Sequence, residues 1–357
     1  MSRFVFAVPG DLATPTGGYA YDRRVIAELT QLGWDVDVAD IGSEFPRPSA
    51  QTLAAARARL VAVASGIPIV IDGLAFGVLP ELAAELHRDH PLIALVHHPL
   101  ALETGIPAAE AEDFHRRERA ALAHAHRVIA TSPSIARRLA EDYGVAAQRI
   151  TVAPPGSEPK ARASRATGET VALLAVGSLV RRKGYDVLVA ALAGLKDLPW
   201  RLTIAGDRTR DPATAAALDA AIRRHGLDDR IDVLGAVPDA RLDALHGEAD
   251  VFVLASRFEG YGMAFAAAIA HGLPVIGTTA GAIPETVPEG TGLLVPPDDV
   301  DALAAALRRL IGDAAERERL ATAAGAAAAR LPTWRQSAAL FARAVAAARE
   351  ATPEKAQ

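Results

Sequence analysis

The sequence predicts an α/β protein with two doubly wound, Rossmann-like domains facing across a cleft. Short β-branched runs alternate with alanine-rich helical stretches from one end of the chain to the other, the pattern of parallel strands joined by crossover helices. At 357 residues the chain is longer than the roughly 250 residues at which a single core stops growing, and suits two domains. Near its middle it runs Ala153-Pro154-Pro155-Gly156-Ser157-Glu158-Pro159 and stays polar to Glu169 before a new apolar strand starts. That composition reads as a linker near residues 156–169.

Taken in order, the first half offers strands at 4–8, 35–39, 68–71, 92–96, 128–130 and 150–152, and the second at 171–176, 201–204, 231–234, 251–254, 274–276 and 292–295. The domains are expected at 1–160 and 161–332. After Pro332 the segment 333–357 reads as a separate terminal helix and tail, the helix packing back on the N-terminal domain.

The apolar fraction of 50% is largely alanine in helical stretches, and no apolar run approaches the roughly 18 residues that span a bilayer. Because residues 3–8 begin directly as a strand, no signal peptide is expected and the chain is expected to stay in the cytoplasm. The absence of cysteine excludes disulfides, thiolate nucleophiles and cysteine-ligated zinc. The net charge is −5, with 15 basic against 19 acidic residues up to Lys160. Neither half has the basic excess of a nucleic-acid binder. The clusters His115-Arg116-Arg117 and Arg137-Arg138 read as solvated helix faces, with a peripheral contact to anionic lipid at the inner face of the membrane as the alternative.

In doubly wound sheets ligands bind beyond the carboxyl ends of the strands, so the segments that follow strands carry the chemistry. Ser256-Arg257-Phe258-Glu259-Gly260-Tyr261-Gly262-Met263 follows the strand at 251–254 and opens a helix. It sets a carboxylate and backbone amides where a polyhydroxylated ring can sit; a tight turn with Glu259 as a helix cap is the plainer reading. The loop from Gly177 to Arg182, Lys183 and Gly184 also follows a strand and opens a helix. Its adjacent cations suit a diphosphate, against a merely solvated basic loop. Lysine is scarce, 4 of 38 basic residues, which singles out Lys183.

In the first half, a loop from Pro9 ends at Thr16-Gly17-Gly18 before a helix. Glycines let a backbone approach a phosphate or an acceptor closely, but the spacing is that of neither a P-loop nor a dinucleotide fingerprint. His97-His98-Pro99 ends the fourth strand. Neighbouring strand residues face opposite sides of the pleat, so the two histidines do not share a metal. His97 reads either as a hydrogen-bonding sugar ligand facing the cleft or as a satisfied structural histidine. Asp35-Val36-Asp37 is read as structural. No carboxylate cluster suited to a metal is legible, and neither metal nor cofactor is expected.

With these residues in place, the sequence resembles the retaining glycosyltransferases of family four, which have the GT-B fold. The resemblance covers nearly the whole chain through Gly17-Gly18, Ser132, Pro155-Gly156, Arg182-Lys183-Gly184, Glu259-Gly260-Tyr261-Gly262, Gly272-Leu273-Pro274-Val275, Gly281-Ala282-Ile283-Pro284-Glu285 and Gly292-Leu293-Leu294-Val295-Pro296, in the family's order and spacing. It implies an acceptor-side first domain and a second domain holding a nucleotide-sugar donor, with a glycan, a lipid-linked sugar or a small molecule as acceptor. Arg182 and Lys183 would hold the donor diphosphate in place of a metal. Gly177, Glu259, Gly260, Tyr261, Gly262 and Met263 would line the donor, His97 would face the transferred sugar, and Gly17 and Gly18 would lie near the diphosphate and acceptor. His97, Lys183 and Glu259 are the expected catalytic set, with no enzyme nucleophile.

Three positions depart from the family pattern. His98 replaces the usual aspartate, Ser178 an arginine, and Ala267 the second glutamate, which would bind the nucleotide ribose. His271, four residues on and on the same helix face, is the nearest substitute. Ala267 also keeps open a GT-B protein without donor turnover, and a GT-B nucleotide-sugar epimerase is a third reading.

Overall fold

The computed structural model describes residues 3–160 and 170–351. The chain forms two compact units, one comprising the chain up to Gly156 together with the segment from Pro332 onward, the other Ser157–Leu331. Residues 161–169, most of the expected linker, lie outside the described residues.

The first unit holds β1 (Arg3–Val8), β2 (Asp35–Asp40), β3 (Ile69–Asp72), β4 (Leu92–Val96), β5 (Arg127–Ala130) and β6 (Ile150–Val152). They form one sheet in the order β2-β1-β3-β4-β5-β6, and every pairing is parallel. Covered on both faces by crossover helices, β3 and β4 are buried along their whole length, which is why they read as unbroken apolar runs. The edge strand β2 is mostly exposed instead, and Arg3 lies 3.6 Å from Asp35 and 3.1 Å from Asp37, so this aspartate pair is a surface ion cluster.

The helix Gly17–Gln31 starts at Thr16, whose hydroxyl accepts from the Tyr19 amide. Gly17 and Gly18 are therefore the first residues of the helix rather than the end of a loop, because the capping hydroxyl ends the loop one residue earlier. The last helix, Trp334–Glu350, opens with a capping box between Thr333 and Gln336. Its Phe341 stacks on Phe6 at 5.8 Å and lies 6.2 Å from Phe4, while Ser337 Oγ donates to the Pro154 carbonyl at 2.5 Å. A Cβ at Gly156 would fall 2.2 Å from the Trp334 nitrogen, so only glycine lets the chain pass under this helix.

The second unit holds β7 (Val171–Val176), β8 (Trp200–Ala205), β9 (Ile231–Gly235), β10 (Val251–Val253), β11 (Val275–Thr278) and β12 (Gly292–Val295), in the order β12-β11-β10-β7-β8-β9. All pairings are again parallel. Trp200, Phe252 and Phe265 anchor its core. No described helix is long and apolar enough to cross a membrane.

Each sheet reverses direction once. In the first unit the strand order turns between β1 and β3, and in the second between β10 and β7. At such a reversal the following helices diverge to opposite faces and leave a crevice beyond the strand ends.

Candidate active site

The second unit's crevice is bordered by the segments after β7 and β10, which hold the sequence-predicted donor residues. After β7 the chain passes Gly177 and makes a short turn at Arg181–Lys183, and Gly184, with φ of 65°, starts the helix Tyr185–Ala193. A Cβ at Gly184 would lie 2.0 Å from the Ala255 carbonyl oxygen. Glycine here lets the β7 loop press against the segment after β10 and aims Arg182 and Lys183 at it.

Glu259 is where the two loops meet. Lys183 Nζ donates to its Oε1 at 2.7 Å, Arg182 approaches Oε2 at 3.3 Å, and the Ser256 hydroxyl donates to Oε1 at 2.6 Å. Arg182 also donates to the Phe258 carbonyl at 2.7 Å. Glu259 is buried. Burial alone would raise its carboxyl, but Lys183 and then Arg182 outweigh it and hold the group at about 2. Two cations against one carboxylate leave a positive excess in a desolvated crevice, where it can be directed at an anionic diphosphate. Beyond Glu259, Gly260 and Tyr261 lead to Gly262, which opens the helix Met263–Ala270; its first amides have no acceptor within the helix.

Around this centre lie contacts that the sequence did not announce. Arg257 forks onto Asp186 at 2.7 and 3.0 Å and reaches Asp298 at 2.7 Å, tying the segment after β10 to the start of the helix Tyr185–Ala193 and to the loop after β12. The Thr278 hydroxyl donates to the Ser256 carbonyl at 2.5 Å. Ala267 is half-buried on the helix after Gly262. His271 is committed elsewhere: Nδ1 lies 2.8 Å from the Ala267 carbonyl and Nε2 2.9 Å from Asp243. Both ring nitrogens face acceptors, which leaves no free atom for a ribose hydroxyl.

In the first unit His97 follows β4, and the sequence reading that found no carboxylate cluster is corrected there. Its Nε2 lies 3.2 Å from Asp22 and 3.2 Å from Asp72, and one ligand-type atom of each of the three residues falls within 4.8 Å of the others. The two acids stand 75 and 25 positions from His97 and meet it only through the β1-β3-β4 order of the sheet. One signal was available. Asp22 shares the helical face of the buried Val25 and Leu29, so an acid sits where the amphipathic pattern demands an apolar residue. Gly18 lies beside the ring, where a Cβ would stand 3.4 Å from His97 Cδ2. His98 turns to Glu103 at 3.6 Å.

The basic clusters are occupied locally. Arg116 pairs with Asp113, Arg117 donates to the Val78 carbonyl at 2.6 Å, His115 lies 3.2 Å from the Asp142 carbonyl and Arg138 pairs with Asp142 at 3.0 Å.

Comparison with known proteins points the same way as the motifs. Residues 170–313 match the family model of glycosyl transferases group 1, and residues 15–160 match that of glycosyltransferase family 4. Among curated relatives, the MMP alpha-(1->4)-mannosyltransferase of Mycolicibacterium hassiacum is 27% identical over 83% of this chain and 74% of its own. The D-inositol 3-phosphate glycosyltransferase of Nocardia farcinica is 32% identical over 66% of this chain but only 56% of its own length. The glycogen synthase of Mycobacterium tuberculosis is 31% identical over 69% and 60%. The chain thus spans little more than half the length of the last two relatives. Among solved structures, sucrose-phosphate synthase from Thermosynechococcus elongatus superposes with a TM-score of 0.81 at 23% identity, covering 96% of this chain and 98% of that one. Anabaena HepE in complex with UDP-glucose gives 0.78 at 20% identity, covering 96% and 99%. Two parallel six-stranded sheets, a shared backbone architecture and two adjoining family models define the relationship: the chain belongs to the family 4 type of glycosyltransferases with the GT-B fold.

Proposed function

We propose that this protein is a retaining hexosyltransferase that moves a sugar from a nucleoside-diphosphate sugar to a glycan, a lipid-linked sugar or a small molecule, without a metal ion. The observation that carries the reading is the contact of Lys183 and Arg182 with Glu259 at the switch point of the second sheet. In the loaded enzyme Lys183 and Arg182 would hold the diphosphate and offset the charge that grows on the leaving group. Glu259, kept ionised by those cations, would accept hydrogen bonds from hydroxyls of the transferred sugar. The amides from Gly260 to Met263, with Gly177, would complete the donor contacts. His97 would face the sugar, and Gly17 and Gly18 the diphosphate and acceptor. No side chain is assigned as a nucleophile; retention would follow from attack on the face the diphosphate leaves.

The relatives' names, a mannosyltransferase, an inositol-phosphate glycosyltransferase and a glycogen synthase, support hexose transfer and leave the acceptor class broad. The cytoplasm is the proposed site of action. Lipid contact through the basic clusters draws little support from residues that already have carboxylate or carbonyl partners. Ala267 favours one competing reading, a GT-B protein that binds without turnover. Incubation with a panel of nucleoside-diphosphate sugars in EDTA, followed by product analysis, separates the readings. Release of nucleoside diphosphate and free or transferred sugar of unchanged anomeric configuration is expected. An epimeric nucleotide sugar, no turnover of any donor, or turnover only with added Mg²⁺ or Mn²⁺ would refute the proposal.

A further inference from the structure

In the first unit two buried carboxylates face a single imidazole nitrogen. Asp22 comes from the helix Gly17–Gln31, Asp72 is the last residue of β3 and also accepts from the Leu74 amide at 2.8 Å, and His97 follows β4. His97 Nε2 stands 3.2 Å from Asp22 Oδ1, a hydrogen bond at the long end of the range, and 3.2 Å from Asp72 Oδ2, an ion-pair contact. An unprotonated Nε2 would aim its lone pair at two anionic oxygens, a repulsive arrangement in a desolvated site. A proton on Nε2 relieves this, and although the neutral Nε2–H tautomer also carries one, two buried carboxylates beside a single ring favour the charged form. We infer that Asp22 and Asp72 are positioning residues that hold His97 as an imidazolium, so that its Nε2–H is engaged by the carboxylates and Nδ1–H is the one donor the ring offers a ligand.

The remaining groups around the ring are consistent with this. Tyr21 meets it edge-on at 5.3 Å and turns its hydroxyl to the Ala153 carbonyl at 2.9 Å. Arg23 acts on Asp22 from the same helix, Thr131 from β5's end binds the His97 carbonyl at 3.0 Å, and His98 faces Glu103. His97 Nδ1 has no hydrogen-bond partner among the described residues. Burial opposes charge on the ring, but Asp22 and Asp72 outweigh it and lift His97 to about 10. Burial pushes Asp22 up to about 6, and its Oδ2 is buried without a partner. One imidazolium against two carboxylates is one positive charge short, and Asp22 takes up a proton as the solution becomes mildly acidic.

The chemical consequence is a restriction on what His97 can do. An imidazolium cannot accept a proton, so His97 is not a general base, and through Nδ1–H it binds only acceptor atoms. What that acceptor is rests on the proposed function, which makes it an oxygen of the donor sugar; the charge state does not depend on that reading.

The direct test is a nitrogen-15 NMR titration of the histidine rings in the full-length protein, with His97→Gln to assign the signals. The inference expects both His97 ring nitrogens to stay in the protonated range between about pH 6 and pH 9. In Asp72→Asn, losing one opposite charge within hydrogen-bond distance should move the ring's midpoint down by about one to three pH units, and Asp72→Glu should restore it. A wild-type ring that titrates near the ordinary 6.5, or one that is neutral and shifts as a ligand when Zn²⁺ or Mn²⁺ is added, overturns the inference without need of any variant. Transfer assays address the other half. Wild-type turnover should be flat between about pH 7 and pH 9, and that of Asp72→Asn should fall as its ring deprotonates. If the ring is cationic yet His97→Gln transfers sugar at the normal rate, the sugar-contact reading fails while the charge assignment stands.

Discussion

The two units build opposite electrostatic centres on the same kind of sheet. Beyond β7 and β10, Arg182 and Lys183 enclose one carboxylate, Glu259. Beyond β3 and β4, Asp22 and Asp72 enclose one imidazole, His97. Each is a central ion held by two ions of the other sign, so the centre in the second unit carries a positive excess and the centre in the first a negative one. Burial acts against the central charge in both, and in both the flanking pair wins, holding Glu259 at about 2 and His97 at about 10. The parallel doubly wound fold thus supplies a crevice of either sign, and only the residues at the strand ends decide which ligand charge it suits.

The largest expected effect comes from breaking the positive centre. Removing one buried charge-assisted contact to a developing oxyanion costs ~3 kcal/mol, or about a hundredfold in rate. Lys183→Ala should therefore lose about a hundredfold or more in turnover while keeping its circular dichroism and melting profile. A folded variant with near-normal rate would remove Lys183 from the chemistry.

The pH dependence of stability sharpens the contrast, because the two centres should fail at opposite ends of the scale. Glu259 lies below its ordinary 4.5, so its contribution is complete above that value and is lost as pH falls toward about 2. His97 lies above its ordinary 6.5, so its contribution is complete below that value and is lost as pH rises toward about 10. Such differences between folded and unfolded proton affinity are stability terms. In calorimetric unfolding, the destabilisation caused by Glu259→Gln should shrink as pH falls from about 4.5 toward 2, and that caused by His97→Gln as pH rises from about 6.5 toward 10. Penalties that do not vary with pH would show that neither charge is held as described.

A smaller effect is expected at Ala267. A hydrogen bond to a charged partner is worth about 1.5–3 kcal/mol, about ten- to a hundredfold in affinity. Because both nitrogens of His271 already face Ala267 and Asp243, His271→Ala should change nucleoside-diphosphate affinity little, whereas Ala267→Glu should tighten it by about tenfold. The reverse pattern in titration calorimetry would mean that His271 reaches the ribose. No change in either variant would mean that this helix face does not meet the nucleotide.

The same contrast explains what was legible beforehand. The positive centre is written locally: Arg182 and Lys183 are adjacent, and Ser256 and Glu259 are three apart, so spacing alone brings their chemistry into view. The strands were legible because doubly buried parallel strands are short apolar runs. The negative centre is written across three crossovers. His97 drew notice as part of a histidine pair, but Asp72 looks like any residue leaving a strand and Asp22 is visible only as an acid on an apolar helix face. Local pattern could not tell that the sheet would place them on one nitrogen. The first helix starts two residues earlier than its glycine pair suggests, because a capping threonine next to two glycines has the same local composition as a loop.

The central claim, that the positive crevice of the second unit holds a nucleoside diphosphate by its own cations, is tested most directly by titration calorimetry of free nucleoside diphosphates in EDTA, with wild type and Lys183→Ala side by side. The account predicts saturable binding to the wild type that EDTA leaves unchanged, and affinity at least about tenfold weaker in the variant. Binding that disappears on chelation, or equal affinity in the two proteins, would contradict it.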